Sequence, residues 1–111
     1  MKAEELKLVL KKKWYDMIAS GEKKEEYREI KQFWGKRLTY LPNGEYLFSY
    51  RNGYTPVQFK EYDTVTFYLG YAKDRPSMSF KIESITIGKG KTEWGAEPGK
   101  DYFVIKLGER L

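Results

Sequence analysis

The chain has 111 residues, 21 Lys+Arg against 16 Asp+Glu for a formal charge of +5, and neither Cys nor His. Those two absences exclude thiolate nucleophiles, Cys/His zinc sites, imidazole general bases and Ser-His-Asp triads, so any catalysis must run on Lys, Glu, Asp, Tyr, Ser or Thr. The length suits one domain spanning 1–111, the 17% aromatic content suits a packed core, and the basic balance suits a polyanionic partner without specifying one.

Leu6, Leu8 and Leu10 alternate with Lys7 and Val9, the period of a strand, predicted over Lys7–Leu10. Lys11-Lys12-Lys13 is open to two readings, a phosphate-binding patch or a solvated turn at an element junction. From Trp14 the period lengthens. Trp14, Met17 and Ile18 share one helical face, which predicts a helix from about Lys13 to Ser20, closed by Gly21 in a left-handed conformation. The following KKEEYREI has no helical stripe, and strand alternation groups Glu26, Arg28 and Ile30 on one face against Glu25, Tyr27 and Glu29 on the other. Lys23 has the wrong parity for the first group and joins it only if it still belongs to the turn after Gly21. If this strand is partly buried, its charges must pair with one another or with a ligand. The alternative is a solvated edge strand whose charges discourage aggregation.

Ile30, Phe33, Trp34, Arg37 and Leu38 recur with a helical period and predict a second helix near Lys31–Arg37, its aromatics read as core anchors. Thr39–Gln58 is dense in turn formers around Tyr46–Tyr50, a strand pattern, so one or two hairpins are expected. Its tyrosines and Arg51 can be read as a base-stacking platform or as ordinary strand residues. Thr64–Leu69 is a strand with Val65, Phe67 and Leu69 facing the core. Met78–Ile87 is a longer one whose change of parity near Glu83-Ser84 predicts a bulge. Gly88–Lys91 lacks Walker spacing and reads as a flexible turn. Thr92–Gly99 is a loop carrying Glu93 and Glu97. Tyr102–Leu107 closes the chain, with Phe103, Ile105 and Leu107 opposite Tyr102 and Val104. The expected fold is α+β and mainly β: a small closed or nearly closed barrel of five to six mostly antiparallel strands with two short N-terminal helices.

Gly21, Lys23, Glu26 and Arg28 together spell GxKxxExR after a short helix carrying Trp14 and Ile18. This resembles the signature of the ASCH domains, small β-barrels of the PUA-like superfamily, and FKEYDTVTFYLGYA and YFVIKL resemble two of their strands. The resemblance implies a cleft between barrel and helices, with RNA, a nucleotide or a nucleoside as ligand. Its expected binding residues are Lys23, Glu26 and Arg28, with Trp14 and Tyr27 as stacking surfaces and Glu93 nearby. Lys23 and Arg28 would meet a phosphate or base acceptors, and Glu26 would accept from an exocyclic amine.

Some members of that family look like amidohydrolases that remove an acyl group from modified cytidine with the motif lysine, a threonine and a glutamate, and others resemble ribonucleases. Here Lys23 is kept but the threonine position holds Glu26, so Lys23 and Glu26 are the candidate catalytic pair, with Glu93 or Glu97 as a further acid. No cofactor or metal is expected. No apolar run approaches the ~20 residues of a membrane span, and a cytoplasmic, monomeric protein is the expectation.

Overall fold

A computed structural model describes residues 4–40 and 59–111. The described chain runs β1 (Glu4–Leu10), α1 (Lys12–Ala19), β2 (Glu25–Glu29), α2 (Gln32–Leu38), β3 (Tyr62–Leu69), β4 (Ser77–Lys89), a 3-10 turn (Thr92–Trp94) and β5 (Asp101–Arg110). The hairpins and Tyr46–Tyr50 strand expected within Thr39–Gln58 lie outside the described residues, which include only Thr39 and Tyr40 of that span; Thr39 bridges to Phe59.

The five strands form one curved sheet in the order β1-β3-β4-β5-β2. β1 pairs with β3 in parallel, whereas β3 with β4, β4 with β5 and β5 with β2 are antiparallel. Among the described residues the sheet is a half-barrel rather than a ring, with β1 and β2 as its edges. Alternation puts Leu6, Leu8 and Leu10 of β1, Val65 and Phe67 of β3, Met78 and Phe80 of β4, and Phe103, Ile105 and Leu107 of β5 on the concave face, where Tyr15 and Ile18 of α1 and Leu38 of α2 cover them. The predicted break in β4 is present as register shifts between Phe80 and Ser84, the local irregularity that lets a long strand bend. No helix among the described residues is long and apolar enough to cross a membrane.

Two packing features differ from the sequence reading. Tyr15, outside the predicted stripe, is buried with Ile18, while Trp14 and Met17 are half-buried. Both faces of β5 are also covered: Tyr102 and Val104 pack with Ala96 and Tyr27 in a second small cluster, because the 92–100 loop folds back over them. The Tyr102 hydroxyl accepts from the Glu97 N–H at 3.0 Å, which ties that loop down.

α1 ends as predicted. Gly21 has φ +86°, and Lys23 N–H reaches back to the Met17 carbonyl at 2.9 Å, so Lys23 belongs to the turn and not to β2. A Cβ at Gly21 would meet nothing within 4 Å. Gly21→Ala therefore costs only the left-handed backbone penalty, about 1 kcal/mol in a chemical denaturation curve.

Candidate functional site

β2 is an edge strand whose two faces take different neighbours. Glu26 and Arg28 turn inward toward α1 and β1, and Glu25 and Tyr27 turn toward the 88–91 segment. The Lys23 ammonium donates to Glu26 Oε1 at 2.8 Å, and Arg28 Nη2 donates to Glu26 Oε2 at 2.6 Å. The side chains of Lys23, Glu26 and Arg28 are 2%, 8% and 16% exposed. Two cations around one carboxylate leave a net charge of +1 in a desolvated place, a state that requires close pairing to persist.

The same guanidinium holds the two edges of the half-barrel together. Arg28 Nη2 also donates to the Val9 carbonyl of β1 at 3.3 Å, and Arg37 of α2 donates to the Lys7 carbonyl at 3.4 Å. Two arginines thus satisfy alternate carbonyls along the side of β1 that has no strand partner among the described residues, a way of blunting a strand edge. A pocket of about 430 Å³ lies in this seam, walled by Val9, Leu10, Lys11, Trp14, Glu26, Tyr27, Arg28, Glu29 and Trp34. A smaller cavity of about 110 Å³ lies on the other side of Glu26, lined by Trp14, Lys23, Tyr27, Trp94, Gly95 and Tyr102.

Both indoles at the seam are bracketed by cations. Lys23 Nζ stands 4.5 Å and Lys13 Nζ 4.7 Å from the Trp14 ring centre. The guanidiniums of Arg28 and Arg37 lie 4.9 and 5.5 Å from Trp34. Such contacts orient the cations and add about 0.5–2 kcal/mol each, more where water is excluded. Phe33, 56% exposed and edge-on to Trp34 at 4.8 Å, extends the aromatic surface beyond the pocket.

Tyr27 is the outward pin of β2. Its hydroxyl donates to Glu25 Oε1 at 2.7 Å and accepts from the Lys91 N–H at 3.0 Å. Its phenol is held far above the usual range, first by burial; the Lys91 hydrogen bond opposes this, and the bond and charge of Glu25 reinforce it. A pKa raised in the folded state means that the stabilisation is complete below the unfolded value near 10 and is lost as pH rises beyond it. Alkaline unfolding followed by circular dichroism should accordingly be less steep for Tyr27→Phe than for the parent chain.

Gly90 explains why Gly88–Lys91 is not the loose turn expected from its composition. β4 continues to Lys89, and a Cβ at Gly90 would stand 2.7 Å from both Ala96 Cβ and the Tyr27 ring. Because both hydrogen bonds of Tyr27 hold that ring, it has little freedom to yield. Gly90→Ala should lower stability by roughly 1–2 kcal/mol in urea and move the Lys91 amide resonance.

Of the predicted site residues, Lys23, Glu26, Arg28, Trp14 and Tyr27 come together. Glu93 does not: it is exposed and lines neither space, while its neighbours Trp94 and Gly95 do. The 3-10 turn aims Trp94 inward, and Gly95, at φ +103°, lies so close to Trp14 that a Cβ there would be 3.0 Å from the indole. Glu97 is exposed and paired with Lys100 at 3.3 Å. The lysine triplet divides: Lys11 walls the pocket, Lys12 pairs with Asp16 at 2.6 Å on the surface, and Lys13 lies over Trp14. Sequence reasoning missed the Val9 carbonyl, Trp34 and Trp94 as parts of this site. Only Trp34 carried a usable signal, its place three residues before Arg37 on one face of the predicted second helix. Among the described residues no group of three His, Cys, Asp or Glu side chains is placed to hold a metal ion. In comparisons with family models, curated proteins and solved structures, the chain finds no match.

Proposed function

We propose that this chain is an RNA- or nucleotide-binding domain of the ASCH type, its half-barrel a PUA-like fold and its ligand seated in the seam between β1 and β2. The observation that carries the reading is the buried Lys23–Glu26–Arg28 triad, two members of which, Glu26 and Arg28, line a pocket of about 430 Å³ walled by Trp14 and Trp34. A residual positive charge favours an anionic ligand, and indoles at the walls offer flat surfaces to a base. The GxKxxExR resemblance points the same way, and a cytoplasmic, monomeric protein belongs to the same reading.

The test is a titration of the ¹⁵N-labelled full chain with nucleosides, nucleotides and short RNAs, read by which backbone amides move. Saturable shifts confined to Val9–Lys11 and Glu26–Glu29 support the reading. Shifts at Tyr46–Tyr54 alone move the function to that segment, and no shift with any member of the panel removes the reading.

A further inference from the structure

The pocket wall contains acceptors that are already engaged and one buried donor that is not. The Val9 carbonyl accepts from Arg28 at 3.3 Å, the Leu10 carbonyl from Gly70 N–H at 3.1 Å and the Lys11 carbonyl from Tyr15 N–H at 3.0 Å. Both oxygens of Glu26 accept from cations, at 2.8 and 2.6 Å, and Glu29 Oε2 accepts from Lys100 at 3.4 Å. Arg28 Nε–H, by contrast, is buried with no acceptor among the described residues. A buried N–H without a partner is disfavoured, so a group that brings an acceptor to it gains what the protein leaves unmet.

We infer that the group seated in this pocket is an anionic oxygen, the phosphate of a nucleotide, held by Arg28 Nε–H, and that Glu26 orients Arg28 and does not receive a base amine. The inference rests on the nucleotide-binding reading and names which end of the nucleotide enters. The charge agrees: Lys11, Lys23 and Arg28 against Glu26 and Glu29 leave +1 around the pocket, and the Glu29 carboxylate in the wall is itself bonded to Lys100. α1 also starts at the pocket with Lys11 as an N-cap that makes no side-chain cap and with no acid in its first turn, so nothing nearby repels an anion from that direction. Lys23 is only 3% exposed and turned to Glu26 and Trp14, so it contributes charge without touching the ligand.

The experiment compares affinities of the full chain for uridine, uridine 5′-monophosphate, ribose 5-phosphate and inorganic phosphate by calorimetry at low and high salt. The expected result is that the nucleotide binds about tenfold or more tightly than the nucleoside, with an advantage that shrinks as salt rises. Arg28→Lys keeps a cation beside Glu26 but lacks the Nε–H, and should bring the two affinities together. Binding of ribose 5-phosphate or phosphate with displacement by the nucleotide supports the same assignment and separates the sugar-borne from the free anion. Uridine binding as tightly as its monophosphate overturns this inference and leaves the nucleotide-binding reading standing. Binding of none of the four overturns this inference, and the binding reading falls with it only if short RNAs give no shift either.

Discussion

Glu26→Ala should lower the unfolding free energy by about 3–5 kcal/mol, because it strands two buried cations at once. Lys23, with its side chain 2% exposed, would lose its only anionic partner among the described residues, and Arg28 would lose its shortest hydrogen bond. For a domain of this size that is a large part of the total stability. The ordering of variants is the sharper test. Lys23→Met leaves Glu26 still paired with Arg28 at 2.6 Å and should cost clearly less than Glu26→Ala in the same denaturation series. If Lys23→Met costs as much or more, the carboxylate is not the hub of the network. The substitution of Glu26 is consequently a poor probe of binding, since lost affinity and lost fold coincide, and Arg28→Lys serves that purpose better.

Trp34→Ala should weaken nucleotide binding by about 2–3 kcal/mol, thirtyfold or more, with a smaller change in stability. Two losses combine here. The indole forms one wall of the seam pocket, and it also holds the Arg28 and Arg37 guanidiniums at 4.9 and 5.5 Å. Released from the indole, the Arg28 guanidinium would spend more of its time away from its place in the pocket wall. Calorimetric titration of the variant with a nucleotide checks this; an affinity unchanged within about threefold would mean that Trp34 only packs against the core.

The motif was legible because it is local. Strand parity alone put Glu26 and Arg28 on one face and Glu25 with Tyr27 on the other; for Lys23 it set only the condition that the residue belong to the turn after Gly21, and the Lys23 N–H bond to the Met17 carbonyl meets it. The leucine alternation of β1 and the parity slip in β4 were equally readable. What joins these pieces was not. That β1 and β2 become the two edges of one sheet depends on β1 choosing β3 as a parallel partner across some 50 residues, a decision no local pattern records. The seam, the pocket in it and the Val9 carbonyl that Arg28 reaches all follow from that choice.

Other misses have the same origin in long-range packing. Tyr102 and Val104 alternate like outward-facing residues, and only the return of the 92–100 loop buries them. Glu93 drew attention as a charge, yet a single 3-10 turn exposes it and sends Trp94 inward instead. Gly90 looked like flexibility, whereas the Tyr27 ring against it leaves no room for a side chain. The closed or nearly closed barrel expected from the strand count is, among the described residues, a half-barrel, and side-chain bonds from Arg28 and Arg37 reach the β1 edge.

One resonance decides whether the seam binds a nucleotide. In the ¹⁵N-labelled chain, the Arg28 Nε–H correlation should shift saturably and become protected from solvent exchange as uridine 5′-monophosphate is added, together with the indole N–H signals of Trp14 and Trp34. If that correlation stays in place while the nucleotide binds elsewhere, or if no signal moves at all, then the Lys23–Glu26–Arg28 cluster is an ion network that holds the seam and nothing more.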